Sequence, residues 1–238
     1  MTILSPSPSA VDLHAARWLV DEANRQGGTY HRLDFGDGFV IEGDYEMSKF
    51  LQYYHLPADL TGSTVLDVGT ASGYFAIESE RRGGQVTAID IHDAETALVA
   101  QIIRTFQLNI DFVTKNIYHL DESFGQFDLV ICGSLLLHLP DPVGALRALR
   151  AVTGERLILS SAATSDSATT DQPVCHFFGD RASEADYWYY WGFSAFGLER
   201  MLLAAGFSRV EHVHHFDLTS EEGRMAFATP HLSMSAYV

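Results

Sequence analysis

The sequence predicts an α/β fold: a doubly wound, mostly parallel seven-stranded sheet with an antiparallel C-terminal strand, preceded by an N-terminal helix plus hairpin. Three observations predict it. The 238 residues are long for one domain and short for two. Strand-like and helix-like runs alternate from residue 64 onward, which is typical of a parallel sheet covered on both faces. A loop of small residues, GTASG at 69–73, joins the first of these strands to a helix.

The first 60 residues predict an extension that packs on a core domain formed by residues 61–238. Residues 9–28 (SAVDLHAARWLVDEANRQGG) place apolar side chains at helical spacing. Residues 29–43 contain two extended runs around Gly36-Asp37-Gly38, which is typical of a hairpin. Residues 44–56 (DYEMSKFLQYYHL) are predicted to form a second helix.

The core domain shows five strand-like runs and then a helix and a closing pair of strands. Helices are predicted to begin near Ser72, Asp93 and Pro142. A further helix follows Ser194, a possible cap, and ends at Gly206. The strand-like runs are STVLDV (63–68), QVTAID (85–90), IDFVT (110–114), FDLVICG (127–133) and RLILSS (156–161), and the closing antiparallel pair is expected within 208–218 and 224–238.

Composition narrows the classes of partner. The net charge of −16 repels polyphosphate backbones, so it disfavours a nucleic-acid partner. No run of 18 apolar residues occurs, so no membrane span is predicted, and residues 1–10 lack the pattern of a signal peptide. The two cysteines, Cys132 and Cys175, have neither disulfide-framework nor metal-ligand spacing, which favours a cytoplasmic protein without a metal.

The loop at 69–73 and the strand after it favour a nucleoside ligand. Gly69, Ala71 and Gly73 let a ligand approach the backbone closely, although such a loop can also be a plain strand-to-helix turn. Asp90 ends the next strand, 21 residues after Gly69, where a carboxylate can accept hydrogen bonds from a ribose diol. The alternative for Asp90 is a helix cap or a solvated carboxylate. Tyr74 replaces the third small residue of the dinucleotide fingerprint, which argues against a pyrophosphate ligand.

With these features the chain resembles the class I S-adenosylmethionine-dependent methyltransferases from about Thr64 to Val213. VLDVGTASG is similar to their first motif, Asp90 to their ribose-binding acid, and FDLVICGSLLLHLPDP to their fourth-strand motif. The resemblance implies a Rossmann-like sheet and S-adenosylmethionine as cofactor. The cofactor-binding residues that it implies are Asp67, Gly69, Thr70, Ala71, Ser72, Gly73, Asp90, Ile91, Asn116, Ile117, Cys132, Gly133 and Ser134.

A narrower resemblance is to the tRNA wobble-uridine carboxymethyltransferase family. It rests on IEGDYEMSKF, the His138 motif and the late TSEEGRM, with Lys49 and Arg224 at basic positions of that family. Leu137 stands where that family has a tyrosine. We therefore interpret the chain as a methyltransferase that acts on O, N or C of a small metabolite with ordinary S-adenosylmethionine. The alternatives are a tRNA-modifying transferase and a non-catalytic cofactor-binding module.

The segment between His176 and Phe196 is rich in aromatic residues and belongs to a predicted insertion at about 163–194. Adjacent rings such as those of 187–191 cannot all face one core. They are expected to line a cavity, contact a second copy in a homodimer or cover a cleft; an ordinary packed connection is the alternative. The predicted substrate-binding residues are Tyr45, Lys49, Tyr187, Tyr190 and Trp191.

Histidines are the candidate proton acceptors. His138 follows the fourth strand of the core, and His176 enters from the aromatic segment, so both are predicted catalytic bases for an oxygen acceptor. The alternative for His138 is a structural histidine bonded to a loop carbonyl. His212, His214 and His215 could offer metal ligands, but a solvated strand face is favoured, with His212 and His214 on one side and His215 on the other.

Overall fold

The N-terminal part forms the predicted helix and hairpin. The computed structural model describes residues 11–165, 167, 171–182, 187–220 and 228–238. Helix α1 (Leu13–Arg25) begins where the Asp12 carboxylate accepts hydrogen bonds from the backbone N–H groups of His14 and Ala15. Four short strands follow: β1 (Thr29–His31), β2 (Leu33–Asp34), β3 (Val40–Ile41) and β4 (Gly43–Tyr45). Strands β2 and β3 form the antiparallel hairpin, while β1 pairs in parallel with β4.

The prediction of one helix over residues 44–56 is wrong. The segment forms two 3-10 turns, Met47–Lys49 and Leu51–Tyr53. Met47 and Phe50, three residues apart, are both buried, as the three residues per turn of a 3-10 helix allow. His55 then adopts a left-handed backbone with φ of 49°, which ends the segment before Pro57.

The central sheet has the predicted seven strands. Its order is β12-β13-β9-β8-β5-β6-β7, and β13 runs antiparallel to both of its neighbours, so the mostly parallel sheet with an antiparallel C-terminal strand is confirmed. A separate antiparallel hairpin of β10 and β11 holds the aromatic segment. The strands are β5 (Thr64–Val68), β6 (Gln85–Asp90), β7 (Ile110–Thr114), β8 (Phe127–Gly133), β9 (Thr153–Ala162), β10 (Cys175–Ala182), β11 (Tyr187–Phe193), β12 (Arg209–Thr219) and β13 (Ala228–Tyr237).

Helices cover both faces of the sheet. Successive residues of β8 point to opposite faces: Ile131 packs into the core shared with α1, α2 and α3, and Cys132 into the core shared with α4 and α5. Within the described residues, no helix has the length and apolarity needed to cross a membrane. The remaining helices are α2 (Tyr74–Arg81), α3 (Leu98–Thr105), α4 (Pro142–Val152) and α5 (Ala195–Ala205).

One predicted helix start is confirmed and another is wrong. Ser194 caps α5 as expected, and Gly206 ends that helix with a left-handed φ of 107°. Helix α3 begins at Leu98 and not near Asp93. The Asp93 carboxylate instead accepts hydrogen bonds from the backbone N–H groups of Glu95 and Thr96, which stabilises a turn before the helix.

Candidate functional site

A cavity of about 500 Å³ lies where β5, β6 and β8 end. The carboxyl edge of an open α/β sheet is the usual place for a ligand, because strand-to-helix loops leave a crevice there. The wall also includes residues of β1 and of the segment after β7. Nine of the predicted site residues line this cavity: Gly69, Ala71, Asp90, Ile91, Asn116, Ile117, Gly133, Ser134 and His138.

The loop after β5 faces the cavity with its backbone. Gly69 has a left-handed φ of 71°, and a Cβ built there would lie 2.7 Å from Cδ2 of Leu135. The N–H groups of Gly69 and Thr70 donate to the Ile89 carbonyl, and that of Ala71 donates to the Asp90 carboxylate at 3.0 Å. These donors are therefore already used within the protein. A phosphate group needs free backbone donors, so these three N–H groups are not available to one.

Five predicted cofactor residues do not line the cavity, and four of them, all but Cys132, belong to the loop or to the strand end before it. The Asp67 carboxylate accepts hydrogen bonds from the Thr70 hydroxyl at 2.6 Å and the Ala76 N–H at 3.1 Å. Burial raises the pKa of Asp67 to about 7. Ser72 accepts a hydrogen bond from the backbone N–H of His31, Gly73 precedes α2 in a left-handed conformation, and Cys132 is buried on the opposite face of the sheet.

The Asp90 side chain is 10% exposed, and its carboxylate accepts hydrogen bonds at the cavity wall. Its Oδ1 accepts hydrogen bonds from the N–H of Ile91 at 2.7 Å and of His92 at 3.3 Å, and its Oδ2 accepts the one from Ala71. A carboxylate has about four lone-pair sites, so acceptor capacity remains for a ligand. Ile91, beside it, is 70% exposed, which is unusual for an isoleucine and presents an apolar surface at the cavity.

The fourth-strand motif forms the opposite wall. Ser134 adopts a left-handed φ of 50°, and its N–H donates to the Ser160 carbonyl at 3.0 Å and hydroxyl at 3.1 Å. The Tyr54 hydroxyl lies 3.1 Å from the same Ser160 hydroxyl, and burial raises the pKa of Tyr54 to about 12. His138 lies on a 3-10 turn, Leu136–His138, that follows at once, half-buried in the wall.

Beyond β7, a second 3-10 turn closes the cavity. Asn116 caps this turn by accepting a hydrogen bond from the Tyr118 N–H at 3.0 Å. The Tyr118 hydroxyl donates to the Asp141 carbonyl, and burial raises the pKa of Tyr118. Lys115 also lines the cavity, with its ammonium 5.2 Å from the centre of the Phe124 ring.

The predicted substrate residues divide between the rim and more distant positions. The Trp191 Nε1 donates to the carbonyl of Leu139 at 3.0 Å, which attaches the aromatic hairpin to the cavity wall, and half-buried Tyr190 contributes to the raised pKa of Tyr118. Tyr45 is buried, with its ring 4.9 Å from that of Tyr30 in the wall.

Two further candidates lie apart from the cavity. His176 is exposed on β10, and Lys49 is exposed with its ammonium 3.2 Å from the Glu46 carboxylate. Neither residue is part of the cavity wall. The side chain of Tyr187 and the whole of Arg224 lie outside the described residues.

His31 is a cavity residue that sequence reasoning missed. It is 6% exposed, its ring lies beside those of Tyr74 and Phe75, and burial lowers its pKa to about 3. Its Nδ1 has no hydrogen-bond partner within the described part of the chain. The segment TYHRLD carries no motif spacing relative to the loop at 69–73, so no signal in the sequence could have found it.

The C-terminal histidines lie on two different sides of β12, as expected. The rings of His212 and His214 both stack on His55, with centroids 4.3 and 4.7 Å away, and His215 instead lies 3.1 Å from the Ser167 hydroxyl. The Nε2 atoms of His55 and His214 lie 2.5 Å apart, within hydrogen-bond distance. Among the described residues, no group of three or more His, Cys, Asp or Glu is placed to hold a metal ion.

Curated proteins match part of this chain. A ubiquinone biosynthesis O-methyltransferase of Xanthomonas oryzae pv. oryzae is 36% identical over 115 residues, which are 47% of this chain and 48% of that relative. The match thus spans about half the length of the relative.

Solved structures share the fold at low identity. The 1,6-didemethyltoxoflavin-N1-methyltransferase of Burkholderia thailandensis, solved with 1,6-didemethyltoxoflavin and S-adenosylhomocysteine, superposes with a TM-score of 0.58 at 19% identity, covering 98% of this chain and 92% of that one. The N-terminal domain of EvdMO1, solved with S-adenosylhomocysteine, gives 0.62 at 17% identity, covering 93% and 96%. Residues 39–224 match the family described as a methyltransferase domain, and the chain belongs to that family.

Proposed function

We propose that the protein transfers a methyl group from S-adenosylmethionine to O, N or C of a small metabolite. One observation carries this proposal: the Asp90 carboxylate and the exposed Ile91 lie beside a loop in which the N–H groups of Gly69, Thr70 and Ala71 are already bonded. Such a site can hold an adenosine through its ribose and base, and the N–H groups of Gly69, Thr70 and Ala71 are not available to a pyrophosphate. When bound, S-adenosylmethionine supplies a methyl group on a positively charged sulfur.

The residues present fit this cofactor. The Asp90 carboxylate is the acceptor for the ribose hydroxyls, and Ile91 and Ile117 supply apolar contacts for the base. Gly69 and Gly133 line the cavity, and a Cβ at either would collide with a neighbouring protein side chain, at 2.7 and 2.8 Å, so neither position has room for a larger residue. The cavity of about 500 Å³ lies within the range of small-molecule sites.

The chain's own residues would align the acceptor with the methyl donor and accept a proton from the acceptor. Alignment of acceptor and donor can supply much of the rate enhancement of a displacement reaction. For an oxygen acceptor, His138 in the cavity wall would accept the hydroxyl proton. Tyr118, Leu139 and Trp191, which attaches the hairpin, would keep water away from the reacting atoms.

A small acceptor is supported by charge and by the names of the relatives. The net charge of −16 works against a nucleic-acid substrate, and the named relatives act in ubiquinone biosynthesis and on didemethyltoxoflavin. We include in the proposal a cytoplasmic setting and an N-terminal extension of residues 1–60 on a donor-binding domain of 61–238 with a substrate-side insertion at 163–194. A homodimer is also included, because Phe177 and Phe178 are 62% and 45% exposed on the hairpin.

Calorimetric titration with S-adenosylhomocysteine tests the donor site. We expect micromolar binding to the wild type and at least about a tenfold loss in Asp90→Ala, because a hydrogen bond to a charged group contributes about 1.5–3 kcal/mol. Asp93→Ala is the matched control: it also removes a carboxylate that accepts backbone hydrogen bonds, three residues away and outside the cavity. Equal affinity of Asp90→Ala and wild type would disprove the assignment.

Transfer to the acceptor is tested with a panel of small hydroxylated and aminated metabolites and with bulk tRNA. Incorporation of label from methyl-labelled S-adenosylmethionine into a small molecule, with none into tRNA at physiological salt, is the expected outcome. Labelling of tRNA alone would instead identify a tRNA-modifying transferase.

A further inference from the structure

A second cleft, distinct from the donor cavity, opens where β9 ends against β12 and β13. Its volume is about 270 Å³. Its apolar wall includes Ala163, Phe216 and Pro230, and its polar wall includes Thr164 and His231. Nothing in the donor site described above uses these residues.

His231, in the wall of this cleft, has one buried ring nitrogen without a hydrogen-bond partner among the described residues. The residue is 4% exposed and lies opposite Ala162 in the pairing of β13 with β9. Its Nδ1 lies 3.0 Å from the carbonyl oxygen of Thr229. A carbonyl can only accept a hydrogen bond, so Nδ1 carries the hydrogen and Nε2 is left with a lone pair. Burial lowers the pKa of His231 to about 4, which keeps the ring neutral near neutral pH.

Two polar atoms of this wall lack a partner. Within the described part of the chain, neither Nε2 of His231 nor the hydroxyl of Thr164, a residue 3% exposed, has a hydrogen-bond partner. A buried polar group without a partner destabilises a protein, because it has lost its hydrogen bonds to water and gained none in return. Two such groups in the wall of one cleft are explained if a ligand supplies the missing hydrogen bonds.

The cleft lies next to the donor cavity on the same sheet. Gly133, in the wall of the donor cavity, pairs with Ser160 of β9, and His231 pairs with Ala162 two residues further along. Two strand spacings, about 10 Å, therefore separate the two walls across the sheet. The His138 imidazole of the donor cavity is close enough to contribute to the lowered pKa of His231.

We propose that this cleft binds a hydroxyl-bearing ring of the methyl acceptor, with Nε2 of His231 accepting the hydrogen bond of that hydroxyl and Thr164 supplying a second polar contact. The inference rests on the proposed function, whose acceptor it narrows to hydroxylated ring compounds. Phe216 and Pro230 suit a flat apolar body, and the volume suits a single substituted ring. His231 acts here as a specificity-determining residue, since its lone pair rejects an acceptor without a donor hydrogen.

The test follows His231 directly by magnetic resonance. Protein with ¹⁵N-labelled histidine is saturated with S-adenosylhomocysteine and titrated with phenol and with anisole, in which a methyl group replaces the donor hydrogen. We expect phenol to shift the Nε2 resonance of His231, assigned by its loss in His231→Phe, and to bind at least about tenfold more tightly than anisole.

Variants separate the hydrogen bond from the shape of the cleft. His231→Phe should weaken phenol binding at least about tenfold, and His231→Gln, which keeps an acceptor oxygen, should restore most of it. Thr164→Val should weaken it severalfold. Ser161→Ala is the matched control, because it removes another buried hydroxyl without a partner, opposite Leu232 on the other face of the sheet. The affinity for S-adenosylhomocysteine should be unchanged in all four.

Three results would overturn the inference: an unmoved His231 resonance up to the solubility limit of phenol, equal binding of phenol and anisole, or full phenol binding by His231→Phe. Failure of the wild type to bind S-adenosylhomocysteine would instead contradict the proposed function. The phenol titration, repeated without S-adenosylhomocysteine, then still reports on the cleft.

Discussion

Gly69 and Gly62 both adopt left-handed backbone conformations, with φ of 71° and 81°, but only Gly69 is also crowded. A Cβ at Gly69 would meet Leu135, whereas one at Gly62 would meet no atom within 4 Å. We expect Gly69→Ala and Gly62→Ala each to lose about 1–2 kcal/mol of unfolding free energy from backbone strain. Only Gly69→Ala should also weaken binding of S-adenosylhomocysteine, measured by calorimetry. A similar loss of binding in Gly62→Ala would mean that strain alone accounts for the effect.

His31 should make the stability depend on pH. Burial lowers its pKa to about 3 in the folded protein, so the folded ring stays neutral while the unfolded ring takes up a proton below about pH 6.5. The stabilisation is therefore present above about pH 6.5 and is lost as the pH falls. From about pH 7.5 to pH 5 this amounts to about 2 kcal/mol. Urea unfolding should show this decrease to be smaller by that amount in His31→Gln than in the wild type, and equal slopes would contradict it.

Single site residues were predictable where a sequence pattern requires a particular kind of residue at a fixed position. Asp90 and Gly69 were found because strand, loop and acid follow one another at fixed spacing. His31 was not, because it reaches the cavity through a parallel pairing of β1 with β4 that no local pattern specifies. Likewise, Thr164 and His231 are distant in sequence and meet only through the pairing of β9 with β13.

At the scale of elements, Ser194 connects α5 to the aromatic hairpin. Its hydroxyl accepts hydrogen bonds from the N–H groups of Gly197 and Val174 and donates to the Gln172 carbonyl, and the residue is fully buried. We expect Ser194→Ala to lose about 2 kcal/mol in urea unfolding, at the upper end for a helix cap. Ser48→Ala, at an exposed serine, is the control and should change stability little. Equal small losses of unfolding free energy in both variants would show that the hydrogen bonds of Ser194 contribute no more than hydrogen bonds to water.

The aromatic hairpin should stabilise the turn that carries His138. Trp191 is attached to this turn through the Leu139 carbonyl. Trp191→Phe keeps an aromatic ring but removes the donor, so we expect faster hydrogen exchange at the N–H groups of His138 and Leu139, which are bonded within the turn. Trp18→Phe, at a tryptophan 63% exposed on α1, should leave these rates unchanged. Unchanged exchange rates in Trp191→Phe would show that the hairpin does not stabilise the turn.

Elements were predicted well when their pattern matched the period of a regular structure. The five core strands and α5 have that property, and the structure confirms them. Residues 44–56 do not, because their apolar spacing fits both an α-helix and 3-10 turns. Helix α3 begins late because Asp93 bonds the backbone in a competing turn, a local choice that an apolar pattern does not record.

For the whole molecule, ligand binding should raise the melting temperature selectively. S-adenosylhomocysteine at about 100 times its dissociation constant adds about 2.7 kcal/mol, or about 5–10 °C for a chain of this length. NAD⁺ carries the same adenosine on a pyrophosphate, and we expect a smaller rise with it, because the N–H groups of Gly69, Thr70 and Ala71 are already bonded. Differential scanning fluorimetry with both ligands checks this, and an equal rise with NAD⁺ would contradict the assignment of the loop.

The buried Asp67 also bears on how such chains diverge in evolution. Because its carboxylate bonds Thr70 and Ala76 and does not line the cavity, selection can retain it for the shape of the loop alone. A descendant that had lost methyl transfer would keep the acid as long as it kept the turn. The VLDVG sequence would therefore still identify the ancestry of such a chain after its activity had changed. The loss of methyl transfer would first appear as a substitution at Asp90.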